Sequence, residues 1–241
     1  MSGTKLSAMI KKLRLFPFHP QFLLSYIERH RYKLAVSNAC GRILDIGCGD
    51  QPVYWVGDNS VEYFGLDYPI TGSLYKGNPN VYGSADALPF FSGVFDTVLI
   101  LEVLEHLAEP LESVREAARV LAEGGVAIVS VPFLYPIHDA PSDFSRWTIY
   151  GLEKMFLKSG FDIVEKYSSG NSASTIVVLV NLFLAKSFLD FPVFLKMFFL
   201  PLLVVVFTAL NLSGLLFHRN AVSVDNNIFP LGYTFILRKS S

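Results

Sequence analysis

The stretch Arg42 to Asp50, R-I-L-D-I-G-C-G-D, constrains this chain more than any other, because an apolar run ends in two glycines where a strand must stop. Ile43, Leu44 and Ile46 suit a strand buried on both faces of a parallel sheet. Gly47 and Gly49 let the backbone turn sharply and let a ligand approach it with no Cβ in the way. Asp45 is the polar exception. A dinucleotide fingerprint needs a third glycine at position 52, which is Pro52, so the turn reads as a ligand site that is not built for a pyrophosphate.

With 241 residues, the chain is long enough for one sizeable domain with an embellishment. Its cysteines, Cys40 and Cys48, offer neither a disulfide framework nor a zinc spacing, which fits a reducing compartment. The overall charge of -1 is unevenly spread: residues 1 to 42 carry eight Lys or Arg, Lys5 and Lys11 among them, against Glu28 alone. Basic segments bind nucleic acid or anionic membrane, and the interleaved Leu13, Leu15, Phe16, Phe18 and Phe22 favour a membrane surface and argue against nucleic acid. A solvated helix face is the alternative. Lys11, Lys12, Arg14, Pro17 and Pro20 interrupt the apolar residues of 6 to 24, so no secretory signal is expected.

Further along, apolar runs alternate with helical spacing. Gln21 to Val36 has helical character, and Val61 to Leu66 reads as a strand ending at Asp67, about twenty residues past the glycine turn, where nucleotide-binding α/β folds place an acid for the ribose hydroxyls. An exposed turn aspartate before Tyr68-Pro69 is the other reading. Phe95 to Leu101 and Val126 to Val131 suit buried parallel strands. The helix expected between them runs from Pro110 to Leu121 and stops before Gly124-Gly125, and another covers Thr148 to Lys158 ahead of a strand from Phe161 to Lys166. The alternation predicts a doubly wound parallel sheet.

Five segments occur in a fixed order: Asp45-Ile46-Gly47-Cys48-Gly49, the acid Asp67, Ala85-Asp86-Ala87-Leu88-Pro89-Phe90, Glu102-Val103-Leu104-Glu105-His106-Leu107, and Val120-Leu121-Ala122-Glu123-Gly124-Gly125. In that order and spacing they resemble the class I S-adenosylmethionine-dependent methyltransferases of the type 11-like group. The resemblance covers about residues 38 to 170 and resumes at Ile228 to Lys239. It implies an α/β, Rossmann-like seven-stranded sheet whose last strand is antiparallel, with S-adenosyl-L-methionine as cofactor. It further implies that Asp45, Gly47, Cys48 and Gly49 form the cofactor turn and that Asp67 meets the ribose. Asp86 and Ala87 meet the adenine, from a segment resembling the family's third-strand motif, and Leu101, Glu102 and His106 complete the site. The expected organisation is a basic segment and helix over 1–40, a core over 41–171, an apolar insertion over 172–222 and the final strand over 223–241.

Methyl transfer from a sulfonium is an in-line displacement, so a protein chiefly positions the acceptor and removes a proton where needed. Ligands of open α/β sheets sit at the carboxyl ends of the strands, which gathers Asp45, Asp67, Asp86, Glu102 and the segment after Val131 around one crevice. That segment, Pro132 to Trp147, is richer in ionisable and aromatic groups than a connector requires. Within it His138 is the candidate general base, oriented by Asp139 or Asp143, and Arg146 is the candidate anchor for an anionic group. The bland alternative pairs Asp143 with Arg146 to stiffen the loop. Glu102, Glu105 and His106 would share one face if their stretch were helical, and related quinone methyltransferases use a similar cluster with magnesium. No metal is assigned.

The departure from the resemblance lies between Gly170 and Asn226. Met197 to Phe217 is an uncharged run long enough to cross a bilayer, whereas the run Ala173 to Ala185 is shorter. The expectation is a partly inserted helical hairpin with Lys186, Lys196, His218 and Arg219 near headgroups and Pro201 kinking the longer helix; a subdomain or dimer interface buried against protein is the rival. Together these readings predict an enzyme that O-methylates a lipid-soluble or lipid-linked acceptor at the cytoplasmic side of a membrane. A metal-assisted quinone-type enzyme and a membrane-bound cofactor-binding scaffold without turnover are the alternatives.

Overall fold

The run Ile43 to Ile46 forms the inner part of β1 (Arg42–Ile46), and every residue after Arg42 is buried. In the computed structural model, which describes residues 12–49, 61–69, 79–218, 224 and 227–240, β1 lies between β2 (Glu62–Asp67) and β4 (Phe95–Leu101) and is parallel to both. Lys5, Lys11, Pro52 and Arg219 lie outside the described residues. With β3 (Val81–Tyr82), β5 (Leu121–Pro132), β6 (Phe161–Ser169) and β7 (Gly232–Lys239), the sheet takes the order β3-β2-β1-β4-β5-β7-β6. β7 runs antiparallel to β5, with Val126 opposite Arg238 and Pro132 opposite Gly232. The helices of the sheet region are α1 (Phe22–Asn38), α2 (Pro110–Val120) and α3 (Ile149–Lys158). The doubly wound sheet with an antiparallel last strand is therefore present. The strand order reverses at β1 and β4, so the loops after Ile46 and Leu101 open at the switch point where such sheets bind ligands.

Three local expectations change. β5 starts at Leu121, before Gly124-Gly125, because Leu121 pairs with Phe95 and the register then shifts before Thr97 meets Val126. Gly124 takes up the shift at φ +70, and a Cβ on Gly125 would sit 3.1 Å from the Asp96 carbonyl oxygen. β3 is only Val81–Tyr82, and Asp86 lies beyond it in a turn closed by the Ser84–Ala87 bridge. The stretch 102–107 is not a helix: Glu102 has φ +58, and only Leu104–His106 form a 3-10 turn, so Glu102 does not share a helical face with Glu105 and His106.

The chain divides into two compact units. One comprises residues 33–133, 137–167 and 232–241, and its core includes Ala35, Ile43, Leu99 and Ile128. The other comprises residues 1–32, 134–136 and 168–231 and holds α4 (Ser172–Leu189) and α5 (Val193–Phe217). Here Leu23, Leu24 and Ile27 of α1 are buried with Val178 and Leu231. α4 is longer than its uncharged run, because Lys186 near its end does not stop a helix begun by a capping box: Ser174 N–H donates to Asn171 Oδ1, and Asn171 N–H donates to Ser174 Oγ. Asn227 closes the base of this unit by donating to Ser168 Oγ at 3.0 Å and to the Gly170 carbonyl at 2.8 Å, while accepting from Ser172 Oγ. Tying both ends of the insertion together limits the entropy cost of so long an excursion between two strands.

Candidate active site

The turn after β1 is held by the next strand. Gly47 N–H donates to the Leu66 carbonyl at 2.8 Å and Gly49 N–H donates to Asp67 Oδ2 at 3.0 Å. Both glycines have positive φ, but for different surroundings: a Cβ on Gly47 would lie 2.4 Å from Val103 Cγ2, whereas one on Gly49 would meet none of the described residues within 4 Å. Gly49 is thus the open position of the turn and Gly47 the packed one, which corrects the expectation that a side chain at Gly47 would fill ligand space. Asp67 Oδ1 also accepts from Tyr68 N–H.

Beneath the turn, Asp45 is buried and accepts the Tyr63 hydroxyl at 2.7 Å. Burial pushes its pKa up to about 7; the Tyr63 hydrogen bond works against that shift and the nearby Asp67 charge adds to it. Burial, with the Asp45 and Asp67 charges, also pushes the Cys48 thiol up to about 12, so this cysteine is a packing residue and not a nucleophile. Asp86 accepts from Ser84 Oγ. The loop that carries Asp86 and Ala87 is fastened to α2 by Leu88 N–H donating to Glu116 Oε2 at 2.8 Å, and by Arg119 donating to the carbonyls of Leu88 and Phe90. The Arg119 guanidinium in turn holds the Glu116 carboxyl below its ordinary pKa.

The ends of β4 and β5 bring the ionisable groups of the second cluster together. Leu101 ends β4, and Glu102 N–H donates to the Ser130 carbonyl. Phe144 N–H donates to the Glu105 carbonyl at 2.8 Å, which ties the loop after β5 to the 3-10 turn. His106 Nδ1 lies 2.7 Å from the Ser142 carbonyl; a carbonyl only accepts, so Nδ1 carries a proton. His138 Nδ1 lies 3.3 Å from Asp143 Oδ2, whose negative charge likewise favours a proton on Nδ1. Both Nε2 atoms face the fully buried Glu105, at 3.7 Å and 3.9 Å from Oε1. The ligand atoms of Glu105, His106 and His138 all lie within 4.8 Å of one another, a set that could hold a divalent metal ion, with His138 in the place expected for Glu102. His106 has an outer acceptor, the Ser142 carbonyl, on its other nitrogen, as metal-bound histidines do.

Asp143, not Asp139, orients His138, since its Oδ2 also accepts the His138 backbone N–H at 3.0 Å. Arg146 donates two hydrogen bonds, of 2.5 Å and 2.8 Å, to Asp143, which is the ion pair of the alternative reading. That guanidinium holds the Asp143 carboxyl far below the usual carboxylate range. Glu102 and Asp139 both have positive φ, at 58° and 50°, so left-handed backbone from two non-glycine residues frames this cluster, as is common at functional sites. Arg146→Ala should destabilise the protein by about 3 kcal/mol at neutral pH by leaving a buried carboxylate without its counter-charge. Because the folded pKa of Asp143 is depressed, this stabilisation is present above about pH 4 and is lost as the pH falls through the folded value. Thermal unfolding should show the gap between wild type and variant narrowing on acidification, and equal melting temperatures at pH 7 would contradict the pairing.

Asp45, Gly47, Cys48, Gly49, Asp67, Asp86, Ala87, Leu101, Glu102, His106, His138, Asp143 and Arg146 all lie in the unit that holds the sheet core. Tyr63, Val103, Glu116 and Arg119 were not legible as site residues, since each acts through a contact between elements that no local spacing encodes. Glu116 and Arg119 carried the one faint signal, a charged pair three apart on a helix.

Comparison with known proteins points one way. Residues 44–129 match the profile of the Methyltransferase domain family. A ubiquinone biosynthesis O-methyltransferase of Caulobacter sp. (strain K31) is 36% identical over 100 residues, which is 37% of this chain and 40% of that protein. The chain therefore spans well under half the length of this curated relative. Among solved structures, a SAM dependent methyltransferase from Archaeoglobus fulgidus superposes with a TM-score of 0.53 at 16% identity, over 90% of this chain and 94% of the other. The [4+2]-cyclase SpnF does so with a TM-score of 0.56 at 19% identity, over 88% and 81%. At such identities the two structures establish the fold alone, and the second shows that it hosts more than one chemistry.

Proposed function

Residues 44–129 make this chain a member of the class I S-adenosylmethionine-dependent methyltransferases, and from that membership we propose that it methylates the oxygen of a lipid-soluble or lipid-linked acceptor at the cytoplasmic surface of a membrane. The observation that carries this reading is the open turn at Gly49, flanked by the carboxylates of Asp45 and Asp67, in the same unit as an imidazole aligned by a carboxylate. Such a turn fits S-adenosylmethionine: the open glycine admits a ligand against the backbone, Asp67 can accept ribose hydroxyls, and a negative field suits a cation. The cofactor supplies an electrophilic methyl group on a positively charged sulfur. Asp86 and Ala87 would hold the adenine end, and Leu101, Glu102 and His106 would complete the site. His138 takes the acceptor hydroxyl proton on Nε2 while Asp143, itself fixed by Arg146, holds the ring and balances the charge that develops. The relative's name supports oxygen as the atom methylated and a lipid-soluble acceptor, and the two apolar helices support a membrane setting.

Cofactor binding provides the test. With its pKa near 7, Asp45 is partly protonated at neutral pH, and a bound cation favours its ionised form, so binding releases a proton. Affinity should rise with pH up to about 7, by at most about tenfold per pH unit, and level off above it. The unliganded protein should lose stability from about pH 4 to about pH 7 and level off above that, because the unfolded carboxyl ionises near its ordinary value while the folded one stays protonated until about 7. Asp67→Ala should weaken binding by roughly ten- to a hundredfold, the worth of a charge-assisted hydrogen bond. Calorimetry showing flat affinity across this range and an unchanged Asp67→Ala would remove the cofactor assignment.

The convergence of Glu105, His106 and His138 favours a second reading, in which these residues hold a divalent ion that polarises the acceptor oxygen. Chelation separates the two. Activity that survives chelation leaves His138 as the base, and activity lost and then restored by magnesium or manganese assigns the metal-assisted route.

A further inference from the structure

We propose that the outward face of α5 is a hydrocarbon-contacting surface whose partner is the acyl-chain layer of a lipid bilayer. The proposal rests on the membrane setting given above and deepens it by naming the surface that enters the membrane. α5 has two unlike sides. Phe207, Asn211 and Gly214, spaced by four and three residues, are buried within the unit. On the other sides Phe194, Met197, Phe198, Val205 and Leu216 are exposed by 70%, 76%, 75%, 64% and 83%. These positions, with exposed Leu200 and Leu202, cover more of the helix circumference than the narrow stripe through which a second helix would pack. From Met197 to Phe217 the helix carries no charged residue, a length of about 30 Å, comparable with the hydrocarbon layer of a bilayer.

The buried side supplies the independent observation. Asn181 Nδ2 donates to Asn211 Oδ1 at 2.9 Å, and Asn211 Nδ2 donates to the carbonyls of Pro17 at 2.7 Å and His19 at 2.9 Å. Next to them α5 approaches so closely at Gly214 that a Cβ there would lie 2.4 Å from Leu23 Cδ2 and 3.2 Å from Val177 Cγ1. In water two such apolar helices would associate through burial alone. In hydrocarbon that drive is absent, and helices pair through interhelical amide hydrogen bonds and small residues, which are the features of this seam. Lys186 and Lys196 stand near the linked ends of α4 and α5, with Lys196 Nζ donating to the Leu189 carbonyl, and His218 stands just beyond the other end of α5, so the polar groups flank the apolar length.

The experiment mixes the full-length chain with vesicles of phosphatidylcholine containing a minority of phosphatidylglycerol and measures flotation. The paired substitution Phe194→Asp and Phe198→Asp should lower partitioning by roughly tenfold or more, since charge is strongly disfavoured in hydrocarbon. Phe91→Asp, at an apolar residue of the other unit that is 86% exposed, should leave it unchanged. Calorimetry with S-adenosylmethionine on the same samples keeps the two readings apart, because its failure overturns the methyltransferase assignment while the flotation result still judges the surface. Equal flotation of wild type and the paired variant overturns the proposal. So does a wild-type chain that ignores vesicles and scatters light as a stable dimer in lipid-free buffer, which would make a second copy the occupant.

Discussion

Replacing Gly47 by valine should abolish S-adenosylmethionine binding and lower the melting temperature. Left-handed backbone at φ +73 costs an L residue roughly 1–2 kcal/mol, and a β-branched one more, before any clash is counted. The new Cβ would also lie 2.4 Å from Val103 Cγ2, so the turn must move away from the Leu66 carbonyl that accepts both Gly47 and Cys48 N–H groups. Movement there pulls Gly49 from Asp67 and separates the open position from its carboxylate. A loss of affinity of about a hundredfold or more is expected, from one charge-assisted contact of about 3 kcal/mol. Gly49→Ala should differ in kind: its Cβ meets no atom of the described residues, so stability should fall only by the backbone strain while the side chain intrudes on the ligand. Calorimetry and thermal unfolding on both variants separate the two cases, and a Gly47→Val protein of unchanged affinity would show that the cofactor binds elsewhere.

His138→Ala should lower turnover by about a hundred- to ten-thousandfold, the usual contribution of a positioned general base, and leave cofactor affinity unchanged. The ring is held from both the backbone and the side, through Asp143 Oδ2 at 3.0 Å from its N–H and 3.3 Å from Nδ1. Asp143→Asn should give a smaller loss, since an amide can still touch the ring but no longer balances its charge. A His138→Ala enzyme that runs at full speed would return the loop to the role of a stiffened connector and leave proton removal to the acceptor's own acidity or to water.

The sheet was readable in advance because its strands are short apolar runs between turn residues, and because the glycine turn and Asp67 lie about twenty residues apart, the separation at which nucleotide-binding α/β folds place an acid. What could not be read depends on contacts between distant elements. The segment 102–107 has letters that suit a helix, but Glu102 N–H donates to the Ser130 carbonyl of β5, and the backbone there turns left-handed, so only a 3-10 turn remains. That replaced the expected trio of Glu102, Glu105 and His106 with one in which His138 arrives from a loop more than thirty residues away. Arg146 was left open between two uses, and the structure shows its pairing with Asp143. The insertion was legible as an apolar helical pair; the seam of Asn181 and Asn211 was not, since an asparagine in an apolar run gives no sign of which residue it will meet.

Methyl transfer to a lipid-soluble oxygen is measured by incubating the protein with methyl-labelled S-adenosylmethionine and a total membrane lipid extract. Label is expected in an organic-soluble product, carried as an O-methyl group and absent with the Gly47→Val protein. Calorimetric binding of S-adenosylmethionine with no labelled product from any lipid fraction would contradict it and leave a cofactor-binding scaffold in its place.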